Sequence, residues 1–168
     1  MPNIRPADYS ASQVADYFVY LASGEKLDNG TPEGVTPLKL QKLLYFAEAA
    51  SLSLFDKKLF KENVEAWKYG PVVSTIYHQY KDHLNTSLVN PSGEYIKITD
   101  PKAVSIIKGV WELFGRYSAG ELVGITHNHA PWKDTYREDE NRVITSEVLR
   151  DYYKTIFEFK DNPVTSNA

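Results

Sequence analysis

Most apolar positions of this chain recur at helical spacing. Val14, Tyr17, Phe18 and Leu21 share one face of a segment running from about Ala11 to Ala22, and Gly24 ends it. A second helix opens at Thr36-Pro37. The threonine can cap, and proline at the first helical position gives up an N–H that would have had no partner. Behind it runs LKLQKLLYFAEAASLSL, where Leu40, Leu43, Leu44, Ala47 and Ala50 form the buried stripe. On this reading Lys39, Lys42 and Glu48 face water.

The pattern then changes period. ENVEAWKY alternates Val64 and Ala66 against Glu65, Trp67 and Tyr69, which predicts a short strand. Gly70-Pro71 is expected to turn the chain and start a helix carrying Val72, Val73, Ile76, Tyr77 and Tyr80. EYIKIT, residues 94–99, reads as a second strand paired with the first. Asp100-Pro101 repeats the cap-then-proline signal ahead of Val104, Ile107, Val110, Trp111 and Phe114. Ser118 and Glu121 have capping-box spacing and predict a short helix to about Thr126. One helical turn is expected at Pro131. Thr145 opens a last helix with Val148, Leu149, Tyr152, Tyr153 and Ile156. The expected fold is mainly α: a single compact helical domain of about six helices with a small two-stranded β element, spanning residues 1–160. Residues 161–168 are expected to be a disordered tail.

A chain of 168 residues can bury a full core without staples. It has no cysteine, so disulfides, thiolate catalysis and Cys-ligated zinc are excluded. The formal net charge of -3 does not favour a nucleic-acid partner, which needs a basic face. MPNIRPADYSASQ has no apolar core, so no signal peptide is expected, and no apolar run is long enough to span a membrane. The expected location is the cytoplasm.

Searches for chemistry return little. His127-x-His129 is half of a metal-site pattern, with Asp134 or Glu138 as a third ligand, and would serve a metal-dependent hydrolase. The plainer reading makes both histidines loop residues with local hydrogen bonds. His78 and His83 do not align on one helix face. No phosphate loop and no nucleophile elbow is present. Nothing in the chain points to an enzyme or a cofactor.

One feature is unusual: EAWKYGPVVSTIYHQY, residues 65–80, gathers a tryptophan, three tyrosines and a histidine around one Gly-Pro. These rings can pack a core and send polar tips to water, or they can form a contact patch, where Tyr and Trp supply area at low entropic cost. Together with VTPLKLQKLLYFAEA (35–49) and THNHAPW (126–132), this segment resembles the Panacea domain, the SocA-like antitoxin domain that includes phage-associated GepA-like proteins. In the third motif Thr126, His127, Pro131 and Trp132 match, while His129 stands where the family pattern has an acidic residue.

The resemblance implies a non-catalytic antitoxin that neutralises a cognate protein toxin, encoded next to it, by direct binding. An alternative implied by one branch of the family is a proteolytic adaptor that delivers the toxin to a protease. Trp67, Tyr69, Tyr77, His78, Tyr80, His127 and Trp132 are then candidate contact residues. Thr36, Pro37, Gly70, Pro71 and Pro131 are expected to hold the scaffold, with Trp67 and Trp132 packed near each other. Partner specificity is expected in GEKLDNGTPEG, in KDHLNTSLVNPSG and in the last helix.

Overall fold

A computed structural model of the protein describes residues 3–94, 96–158 and 165–166. Its organising element is one helix, α2 (Pro37–Phe55), capped by the Thr36 hydroxyl with Pro37 in the first turn. Every residue from Leu40 to Ser53 is buried. Around this helix stand α1 (Ala11–Ser23), α3 (Ser74–Tyr80), α4 (Pro101–Phe114), α5 (Ala119–Asn128) and α7 (Ser146–Tyr153), all in contact with it. A short α6 (Ala130–Thr135) packs on α5 and α7. The architecture is mainly α, with seven α-helices among the described residues. The capping box at Ser118 and Glu121 forms, and so does one at Ser10 and Gln13.

The central position of α2 corrects one expectation. Lys42 and Glu48 are buried, at 0% and 1% exposure. They are the two charged residues between Leu40 and Phe55, too few to make a solvated face, and a helix enclosed on all sides has no wet side to offer. Glu48 instead anchors the chain after α2. Its carboxylate accepts from Lys58 Nζ at 2.8 Å and from the Leu59 amide at 2.6 Å. Burial pushes the Glu48 carboxyl up, against the pull of Lys58.

The β element also differs from expectation. It is a three-stranded antiparallel sheet with β1 (Val64–Trp67) between β2 (Gly70–Val72) and β3 (Arg142–Ile144). Residues 96–99 form no strand. The partners of β1 are the Gly-Pro segment, expected to begin a helix, and three residues of the connector after α6. Both are too short to show a period in the sequence. Pro71 is tolerated because β2 is an edge strand, where a missing N–H breaks no ladder. Along β1 the predicted alternation holds: Val64 and Ala66 are buried, Glu65 and Trp67 half-buried.

A second small ladder pairs β4 (Phe157–Glu158) with β5 (Thr165–Ser166). Thr165 and Ser166 belong to the segment 161–168 expected to be disordered; the other residues of that segment lie outside the described residues.

Lys68 and Tyr69 link β1 to β2, with Trp67 opposite Gly70. Neither loop residue has a positive φ, and the reversal is completed by Gly70 at φ +104°, a conformation that side chains other than glycine resist. A Cβ there would also lie 2.8 Å from Lys42 Cε and 3.0 Å from Thr126 Oγ1. Gly70→Ala is therefore expected to destabilise the fold by about 2–3 kcal/mol, read as a lower midpoint in urea unfolding.

Candidate partner-binding site

The hairpin is held from beneath by polar side chains that are themselves buried. Gln41 on α2 grips both backbone groups of one residue with the two ends of its amide: Nε2 donates to Val73 O at 3.1 Å, and Oε1 accepts from Val73 N at 2.8 Å. One residue on, Lys42 Nζ donates to Pro71 O at 3.0 Å. From α6, Trp132 Nε1 donates to Trp67 O at 2.7 Å. Thr126, fully buried, closes the space against Gly70 while its hydroxyl donates to Val123 O. His127 stacks on Trp132 with ring centroids 3.9 Å apart, and Trp132 stacks in turn on Tyr136. Trp132 is only 9% exposed, and its tie to Trp67 runs from indole N–H to backbone, not ring to ring.

On the outer side the hairpin makes one wall of an apolar groove of about 380 Å³. Trp67 and Tyr77 both line it, edge to face at 4.9 Å. Pro37 and Leu38 at the start of α2 and Leu84 and Asn85 after α3 also line it. Tyr69, Leu84 and Leu38 are 63%, 47% and 38% exposed, an unusual concentration of bare apolar area for so short a stretch of surface. The Trp67 indole N–H donates to Glu65 Oε1 at 3.1 Å, which orients the ring.

The remaining candidate residues are dispersed. His78 is exposed on α3 with its ring 5.5 Å from Tyr77. Tyr80 is half-buried against the core and lines no part of the groove. His127 and His129 point to different neighbours. His129, extended between α5 and α6, shares a 2.8 Å hydrogen bond between its Nδ1 and Tyr153 OH, and Tyr153 OH meets Tyr45 OH at 2.8 Å. Among the described residues no three His, Asp or Glu side chains converge as a metal site would need. Burial lowers the pKa of both histidines; at His127 the nearby Lys42 adds to this, and a backbone hydrogen bond at Lys68 opposes it. No helix of the described residues is long and apolar enough to cross a membrane.

The family model described as "Antitoxin SocA-like, Panacea domain" matches residues 40–133. The chain belongs to this family. A curated relative, Antitoxin SocA of Caulobacter vibrioides (strain NA1000 / CB15N), is 32% identical over 109 residues, which cover 58% of this chain and 58% of that protein. The chain thus spans little more than half the length of that relative. No solved structure matches. In this Panacea domain the matched span begins on α2 just before Gln41 and ends just after Trp132, so it encloses the whole set of contacts that clamps the hairpin.

Sequence reasoning assigned no role to Gln41 and misplaced Lys42. The available signal was the polar Gln-Lys pair set between leucines in residues 40–44 of an otherwise largely apolar helix. Burial lowers the Lys42 ammonium from its ordinary 10.5 to about 7. Between those values the unfolded chain holds a proton that the folded chain has released. Stability therefore rises with pH across that window, by up to about 1.4 kcal/mol per pH unit. Urea unfolding at pH 7 and pH 9 is expected to show the wild type more stable at the higher pH. In Lys42→Met the gain is expected to shrink, with a residue left by half-buried Lys39, whose ammonium burial also depresses.

Proposed function

We propose that this Panacea domain is an antitoxin that neutralises a protein toxin by binding it directly and covering the surface the toxin works with. The observation that carries this reading is the groove: a family of antitoxins supplies the scaffold, and the scaffold presents Leu38, Tyr69 and Leu84 bare to solvent beside Trp67 and Tyr77. Masking needs complementary area and no chemistry. The absence of any converging set of acid, base and nucleophile in the sequence accords with a non-catalytic role. Large exposed aromatic and aliphatic side chains around a concave centre are what protein interfaces use as anchors. The groove alone falls short of the roughly 1,200–2,000 Å² that a stable complex buries in total, so neighbouring surface joins it. The toxin is taken to be the product of an adjacent gene, and the complex to form in the cytoplasm.

Co-expression with the neighbouring gene product is expected to rescue growth, with toxin abundance unchanged. A Leu38→Glu, Leu84→Glu double variant alters only exposed positions. It is expected to melt like the parent yet bind the toxin about a hundredfold more weakly, a loss of about 2.7 kcal/mol in titration calorimetry. Failure of every neighbouring gene to be rescued would refute the reading.

A further inference from the structure

The groove has a definite electrostatic character. Of its lining residues one alone carries a formal charge, Lys68. Lys68 stands exposed at the tip of the hairpin, with its ammonium 5.5 Å from the centre of the Tyr69 ring. It makes no ion pair among the described residues. Glu65, the carboxylate on the same face of β1 as Trp67, is engaged by the Trp67 indole. Lys42, buried beneath the hairpin with its Nζ on Pro71 O, does not line the groove. The groove is thus an apolar slot with one cation, Lys68, at its lip and no carboxylate among its lining residues. A basic partner group docking here would meet charge of its own sign, which costs association.

We propose that the groove takes a large apolar side chain of the partner protein that has an aspartate or glutamate beside it, the apolar group resting between Leu38, Trp67, Tyr77 and Leu84 and the carboxylate meeting Lys68. This deepens the antitoxin reading and rests on it for the partner's being a toxin. The apolar anchor supplies most of the affinity. The exposed ion pair supplies selectivity and steering, since such pairs are individually weak and act chiefly on association.

The test is a selection of short random peptides displayed on phage against the full chain, followed by titration of the enriched peptides with purified variants. The enriched peptides are expected to share one large apolar residue with Asp or Glu at the next or second-next position. They are expected to bind Lys68→Glu and Leu84→Glu at least about tenfold more weakly than the wild type, and to lose salt dependence in Lys68→Ala. Both positions are exposed, and unchanged melting curves confirm that the variants fold. Peptides with Lys or Arg beside the anchor, peptides that bind Lys68→Glu as well as the wild type, or an absence of enriched peptides would each overturn the proposal. So would a wild-type dimer that Leu84→Glu converts to monomer, because the groove would then belong to a second copy of this chain. The selection uses no toxin. Growth rescue without acidic peptides would leave the antitoxin reading standing and remove this one, and acidic peptides without rescue would do the reverse.

Discussion

Two polar side chains on a helix with no wet face decide where the hairpin lies. Gln41 satisfies both backbone groups of Val73, and Lys42 takes the carbonyl of Pro71. The carbonyl and amide they serve are removed from water, and leaving such a group unpaired costs about 1–3 kcal/mol. A hairpin of a few residues has no stability of its own. Its position is therefore imposed by the helix it lies on, through contacts that tolerate no slip: a shift of one residue would leave the Gln41 amide and the Val73 peptide without their partners. Trp132 closes the arrangement from the other direction by holding Trp67 O. Helices α2 and α6, far apart in sequence, are linked through the hairpin between them.

The same constraint sorts the aromatic residues. Once Ala66 faces the core, the pleat turns Trp67 the other way, toward Tyr77 and the groove. Trp132 is directed inward by its hydrogen bond and by its stacking between His127 and Tyr136. Two tryptophans in the family's motifs thus have opposite duties, one presented and one supporting. The scaffold-or-surface question divides along the strand, residue by residue: Gln41, Lys42, Gly70, Thr126 and Trp132 hold, while Trp67, Tyr69 and Tyr77 are shown.

A second buried polar chain does for the helices what Gln41 does for the hairpin. Tyr45 on α2, Tyr153 on α7 and His129 at the α5–α6 junction are linked hydroxyl to hydroxyl to imidazole. Burial pushes both phenol pKa values up and the imidazole down, so all three are neutral near pH 7 and the network carries no buried charge. It ties α7 to the centre of the fold through Tyr153, which is buried like its neighbour Leu149, while Val148 is the exposed apolar residue of that helix.

Much of this was legible from local signals. The helix starts at Thr36-Pro37, Asp100-Pro101, Ser118 and Thr145 are set by side chains that cap within a few residues of themselves, so the sequence alone determined them. The alternation of β1 was equally local. The family resemblance carried by residues 35–49, 65–80 and 126–132 was visible in the same way. Tertiary structure decided what local pattern cannot encode. Lys42 and Glu48 look like surface residues until other helices cover the far side of α2. The partners of β1 are two three-residue strands, and the distant one, Arg142–Ile144, is chosen by where α6 releases the chain. Leu38 and Leu84 become neighbours of Trp67 only once the hairpin is pinned. Periodicity reports how one segment divides its own faces; which face ends up wet, and which distant residues share a groove, is settled by the other segments that compete to cover it.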